Sequence, residues 1–457
     1  MEPAQLPGVD HFARPRTRRE VLKLGAGLAA GGALLPLLAA CATPRASEGR
    51  SQRITAVVAG GDPAAEPVLK RVYDDFRALH PDVEWDIRAL TGGGPEWDRL
   101  ARASIASGEP VDLVFINGQQ VRGWIRDGLL ADLSADPAMA TILARVPVQY
   151  HLGGLDEDAV RAFPLALTRG VDTTGLYYNR ALLDRAELEV PRTFDDLRAS
   201  VAPLAAIDVA PLVHCSGDVF FNQMLITWIL PMLAERTVDP IEFAERTVRG
   251  DIGYDSPEWI EALQAIADLR ASGVLMEGSG ATDYATMQQL LLQGQVAMTY
   301  QGTWLLPQLH AGSPSGDFDL HVAPPPLIDG ASRPRPILAW TGVALPADPG
   351  PSRDSVYAFL EYASRPEVDA EIVRGLQVYS PMRESNVGIE DEVAQEFLPM
   401  FDDAITPLDW IWEPEITAEL DSQVQGLVRG DTDPRAAGRA VQAVAAELRE
   451  SGRSYHP

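Results

Sequence analysis

Between residues 54 and 130 short apolar runs alternate with amphipathic ones, and that order leaves few folds open. Ile54 to Ala59 reads as a strand that ends in the loop Gly60-Gly61-Asp62-Pro63. Val68, Leu69, Val72, Phe76 and Leu79 then fall on one helical face, which His80-Pro81-Asp82 terminates. Val83, Trp85 and Ile87 alternate with polar residues as on a second strand. Pro95 to Ser107 reads as a helix closed by Gly108, Asp112 to Asn117 as a third strand, and Gln119 to Leu130 as a helix interrupted by Gly123. Strand, helix, strand, helix, strand at this spacing predicts a parallel sheet with right-handed crossovers. In such sheets ligands sit beyond the carboxyl ends of the strands. The loops Gly60 to Asp62, Leu90 to Gly94 and Asn117 to Gln120 are therefore expected to face a site.

The amino terminus says where that body works. Thr17-Arg18-Arg19-Glu20-Val21-Leu22-Lys23 precedes a Gly/Ala-rich apolar run, Leu24 to Leu38, which ends at Leu38-Ala39-Ala40-Cys41. Paired arginines before such a run resemble a twin-arginine export signal, and small residues before a lone cysteine resemble a lipobox. A membrane span is disfavoured, because the run is about 15 residues long against the ~20 that cross a bilayer. The expectation is a signal over residues 1–41, lipidation at Cys41, and a polar, Pro-containing tether over 42–53. The folded body is then extracytoplasmic, at the cell surface or in the periplasm.

Composition narrows partners more than function. The formal net charge of the 457 residues is -27, and residues 1–40 carry five basic and three acidic side chains, so the remainder is near -29. Such a surface repels nucleic acid and anionic lipid, and the membrane is reached only through the amino-terminal lipid. The cysteines are Cys41 and Cys215, and lipidation of the first leaves the second without an intrachain partner.

Familiar catalytic patterns do not emerge. The seven histidines are scattered and never take metal-ligand spacing. Gly312-Ser313-Pro314-Ser315-Gly316 places proline where a nucleophile elbow needs serine. His214 beside Cys215 suggests a nucleophile pair, but adjacent side chains usually point apart, which favours a buried thiol. No cofactor is implied.

Further along, Pro191-Arg192-Thr193-Phe194-Asp195-Asp196-Leu197 reads as a helix start with Thr193 as N-cap. Val296 to Tyr300 reads as a strand leading into Gly302-Thr303-Trp304, and Pro434 to Glu450 as a terminal helix. These segments carry a family resemblance. Phe76 to Val83, Ala106 to Phe115, Phe163-Pro164-Leu165 with Gly175 to Asn179, the Pro191 to Leu197 helix start, and Gln293 to Met298 with Gly302-Thr303-Trp304 occur in the order seen in extracellular solute-binding proteins of ABC importers. The chain resembles their sugar-binding branch, related to maltose-binding proteins.

That resemblance implies an α/β, two-lobe periplasmic-binding-protein-like fold of type II, each lobe a mainly parallel sheet flanked by helices, with the ligand cleft between them. Mapped here, lobe one is expected over residues 54–167 plus 342–380, and lobe two over 168–341 plus 381–457. It implies a monomer that closes on a carbohydrate and docks on ABC permease transmembrane subunits, and not an enzyme. A non-sugar solute such as a polyamine, glycerol phosphate or amino acid, an exported glycoside-acting enzyme, and a ligand sensor remain as alternatives.

A sugar needs aromatic platforms for its C–H faces and planar polar groups for its hydroxyls. By the family pattern Trp304 takes the stacking position. Trp410 and Trp412, alternate residues of one segment, either both line the cleft or both enter the core. Trp340 precedes Thr341-Gly342 at a crossover strand. Polar candidates are Asp62 after the first strand, Asn117 and Gln119 after the third, and Asp172 and Thr174 near the first crossover. Glu96, Asn222, Arg383 and Tyr379 are weaker choices.

Overall fold

The computed structural model describes residues 52–59, 65–90, 94–108, 110–153, 158–348 and 350–454. The export signal, Cys41, most of the tether, and Asp62 lie outside the described residues.

Two sheets organise the described chain. The first contains β1 (Gln52–Ala59), β2 (Val83–Leu90), β3 (Leu113–Asn117), β4 (Ala162–Pro164) and β5 (Val171–Asp172), joined by β10 (Ala339–Ala344), in the order β2-β1-β3-β10-β4 with β5 on β10. The second contains β6 (Thr174–Asn179), β7 (Ala210–Leu212), β8 (Val296–Gly302) and β9 (Leu320–Ala323), in the order β7-β8-β6-β9. The parallel run read from the sequence is present where the alternation is clean: β1 pairs in parallel with β2 and with β3. It does not extend through either sheet. β10 meets β3, β4 and β5 antiparallel, and in the second sheet only β7–β8 is parallel. The reason is connectivity. β10 arrives from the far sheet and enters between β3 and β4, whereas β1 to β3 are joined by helical crossovers that return each strand in the same direction.

Those crossovers are α1 (Ala65–Leu79) and α2 (Gly94–Ala106). α1 turns Val68, Val72 and Phe76 inward, and Phe76 meets Phe359 edge-on with ring centroids 5.2 Å apart. The next helix, α3 (Gly118–Arg126), is continuous through Gly123 and shorter than its sequence pattern suggests. Its start is well determined. The Asn117 side chain accepts the Gln119 N–H at 3.0 Å, and Gln120 Oε1 accepts the Asn117 N–H at 3.3 Å. A reciprocal cap of this kind is worth about 1 kcal/mol and fixes the angle at which the chain leaves β3.

The second lobe packs helices against its sheet. α4 (Gln223–Ala234) is buried along its whole length. Its Trp228 stacks on Tyr300 of β8 at 4.7 Å and donates its indole N–H to the Pro326 carbonyl at 3.1 Å. The helix Phe194–Ala205 begins at Thr193 with the expected box: Thr193 Oγ1 accepts the Asp196 N–H and Asp196 accepts the Thr193 N–H. α5 (Pro414–Arg429) lays Ile416, Leu420, Val424 and Leu427 on the core of this lobe. β10 and the segment 408–412 join the halves. Trp410 belongs to the core around the first sheet, and Leu408, Ile411 and Trp412 to that around the second.

Candidate functional site

A cavity of about 380 Å³ lies between the lobes. One wall is formed by Asp98 and Arg102 of α2 and by Gln119, Gln120, Arg122, Gly123 and Arg126 of α3. The other is formed by Val219 and Phe220, by Asp409 and Trp412, and by Pro414, Thr417, Ala418 and Asp421 of α5. The first wall stands directly after β3, where the sequence reading expected ligand contacts.

A side-chain contact spans the gap. Gln119 Nε2 donates to Asp409 Oδ2 at 2.9 Å and lies 3.4 Å from Gln223 Oε1. Gln119 is delivered there by the Asn117 cap, so Asn117 acts on the site through backbone geometry while its own oxygen is engaged. Trp412 is 3% exposed and leans on Trp259 at 5.3 Å. Its indole N–H has no partner among the described residues.

The remaining predicted residues lie elsewhere around the junction. Trp340 and Trp410 are buried and meet edge-on, with centroids 5.3 Å apart and planes at 89°. The Trp410 ring lies flat over Gly118, where an added Cβ would fall 2.2 Å from indole carbons. Trp410 and Trp412 therefore diverge, one into each core, because the segment takes a 3-10 turn at Leu408–Trp410 and not an extended form. Trp304 is half-buried at the end of β8 and covers Gly302, where a Cβ would also fall 2.2 Å away. Its Nε1 donates to Gln301 Oε1 at 3.2 Å. Asp172 accepts the Thr303 hydroxyl at 2.5 Å, tying β5 to the turn that carries Trp304. Burial raises the Asp172 carboxyl, opposed by the Thr303 hydrogen bond and the Arg169 charge. Thr174 is fully buried, and its hydroxyl bonds Tyr300 at 2.7 Å and accepts the Ile337 N–H at 3.1 Å. Of the nine ligand candidates, Gln119 and Trp412 line the cavity; Asp62 lies outside the described residues.

Among the weaker choices, Asn222 is enclosed beside Ser216, Tyr379 donates to the Ala394 carbonyl, and Arg383 pairs with Asp402 on the surface. The Cys215 thiol is sealed in the core and pushed up to about 12 by burial; burial holds His214 down at about 4. At neutral pH neither carries charge, so the neighbouring pair lacks the thiolate that nucleophilic chemistry needs.

Sequence reasoning missed Asp409 and Asp421. Both are 4% exposed. Burial pushes Asp409 up to about 7 and Asp421, with the Asp409 charge adding to it, up to about 9. A signal for Asp421 was present. It falls three residues before Val424 and seven before Val428, on the buried stripe of α5, where an acid is out of place.

Two lobes around a cleft, joined by crossing strands and bridged by side chains from both sides, define the solute-binding architecture. A family model described as bacterial extracellular solute-binding protein matches residues 57–370, more than half of the chain, and the chain belongs to that family. A multiple sugar-binding protein of Streptococcus mutans is 21% identical over 298 residues, covering 63% of this chain and 66% of that protein. A probable sugar-binding periplasmic protein of Brucella suis is 22% identical over 307 residues, 65% of this chain and 68% of the relative. The chain thus spans about two thirds of the length of these curated relatives. The fold is shared with a chitin oligosaccharide binding protein (TM-score 0.73, 18% identity, 87% of this chain and 99% of that one). It is also shared with the GacH receptor of Streptomyces glaucescens (TM-score 0.70, 21% identity, 87% and 98%).

Proposed function

We propose that this chain is the substrate-binding subunit of an ABC importer, capturing a sugar or oligosaccharide by hinge closure and delivering it to a membrane permease. The observation that carries the reading is the cavity walled by both lobes, with the Gln119–Asp409 bond crossing it. A ligand in that position touches both halves at once, so it favours the closed arrangement by its differential contacts. The relatives named as sugar-binding proteins support carbohydrate as the solute class. Half-exposed Trp304 supplies a stacking face at the edge of the same junction.

In this reading the hinge divides lobe one (54–167 plus 342–380) from lobe two (168–341 plus 381–457). The chain is exported through its twin-arginine signal, held at the membrane by lipidated Cys41, and monomeric. It binds and releases without breaking bonds.

The test is a thermal-shift screen with a carbohydrate panel and a panel of polyamines, amino acids and glycerol phosphate. A ligand that binds only the folded state at a hundredfold excess over Kd adds about 2.7 kcal/mol of stability. A shift with sugars is expected. A flat response to every sugar, with a shift for another solute class, overturns the reading.

A further inference from the structure

Asp409 and Asp421 both line the interlobe cavity and are almost wholly withdrawn from solvent. Asp409 has the Gln119 amide. Asp421 Oδ1 is buried with no hydrogen-bond partner among the described residues.

The charges facing the pair come from each wall. α2 presents Asp98 and Arg102, and α3 presents Arg122 and Arg126. Arg102 is bonded to Asp98 at 2.8 Å and to Asp127 at 2.6 Å, and Arg126 to Asp127 at 3.1 Å. Those two guanidinium groups are therefore answered by acids on or beside their own helices. The Val219–Phe221 turn contributes apolar side chains, and Asp218 before it accepts the Tyr284 N–H. No ion pair among the described residues reaches Asp409 or Asp421. The two carboxyls thus line the cavity without a salt-bridge partner of their own among the described residues, although Arg122 stands on the facing wall. Such groups remain protonated until a cation enters, because an unpaired buried charge is strongly disfavoured.

We infer that the solute taken by this cleft is an amino sugar, whose cationic nitrogen lodges against Asp409 and Asp421. This rests on the sugar-binding reading above and narrows it. Trp412 borders the same cavity and adds an indole N–H that has no partner among the described residues. The proton balance is simple. The ligand arrives as an ammonium ion, a carboxyl releases its proton to solvent, and an ammonium–carboxylate pair forms. Binding of the charged ligand therefore releases protons, which binding of a neutral sugar does not require.

The test is isothermal titration calorimetry on the full chain at about pH 6.5, repeated in two buffers of different ionisation enthalpy to count protons. Probes are matched pairs: glucosamine and glucose, galactosamine and galactose, and the β-1,4 diglucosamine and cellobiose. The expected result is at least roughly tenfold tighter binding of an amine than of its hydroxyl counterpart, with about one proton released. Asp421→Asn is expected to abolish both the margin of amine over hydroxyl counterpart and the proton release. The proton count on the unaltered chain stands independently of that variant's folding. Neutral sugars that bind as tightly as their amines, without proton release, overturn this inference and leave the sugar reading intact. Failure of every sugar in both arms overturns both.

Discussion

Replacing Asp421 by asparagine isolates the cost of holding a carboxyl inside the junction. Burial pushes the folded carboxyl up to about 9, well above the ordinary carboxylate value of about 4. Because the folded value is raised, the protonated acid's stabilising contribution is complete below pH ~4 and is lost as pH rises toward 9. Each unit of pH in that window removes about 1.4 kcal/mol. The loss is therefore of the order of a few kcal/mol at pH 7 and smaller at pH 5. Asparagine keeps the shape and an acceptor oxygen for the Gln223 N–H but cannot ionise. The ligand-free variant is therefore expected to unfold at a higher temperature than the original protein. The difference should be smaller at pH 5 and should widen steadily toward pH 7. Scanning calorimetry on both proteins from pH 5 to 8 reads this directly. A gap that stays constant with pH, or a variant less stable at pH 7, would refute the reasoning.

Other consequences can be checked separately. Trp304→Ala should weaken sugar binding by about 0.5–1.5 kcal/mol through lost stacking, measured by titration, with a small change in melting temperature because the ring is half-exposed. Gly118→Ala forces a Cβ into the Trp410 ring, and overpacking of that kind costs about 1–3 kcal/mol, visible in the denaturant midpoint. Gln119→Ala removes the donor to Asp409, so small-angle scattering should show a larger radius of gyration in the ligand-free protein and titration a severalfold weaker ligand. Cys215 should resist alkylation in the native protein and react once denaturant exposes it, because the buried thiol is protonated at neutral pH.

Local patterns made much of the fold legible. The three parallel strands of the first sheet, α1, the Thr193 cap and the terminal helix Pro434–Glu450 follow from apolar period, proline and capping chemistry, all of which act within a few residues. The antiparallel entry of β10 was not readable, because a strand of this kind has the same sequence signature in either direction. The site divides in the same way. Gln119 could be anticipated from its position after β3. The divergence of Trp410 and Trp412 could not, since a turn at Leu408–Trp410 reverses what an extended segment implies.

By itself the order of residues carried the export-signal reading, which falls outside the described residues, the solute-binding resemblance, and the helix starts after Thr193 and at Pro434. Only tertiary structure decided that Asp409 and Asp421 share a cavity, that Gln119 reaches across to one of them, and that Trp340 and Trp410 close on each other. The physical reason is range. Periodicity and capping are set by neighbours along the chain, whereas desolvation and pairing of a side chain depend on residues hundreds of positions away, brought together when the lobes meet.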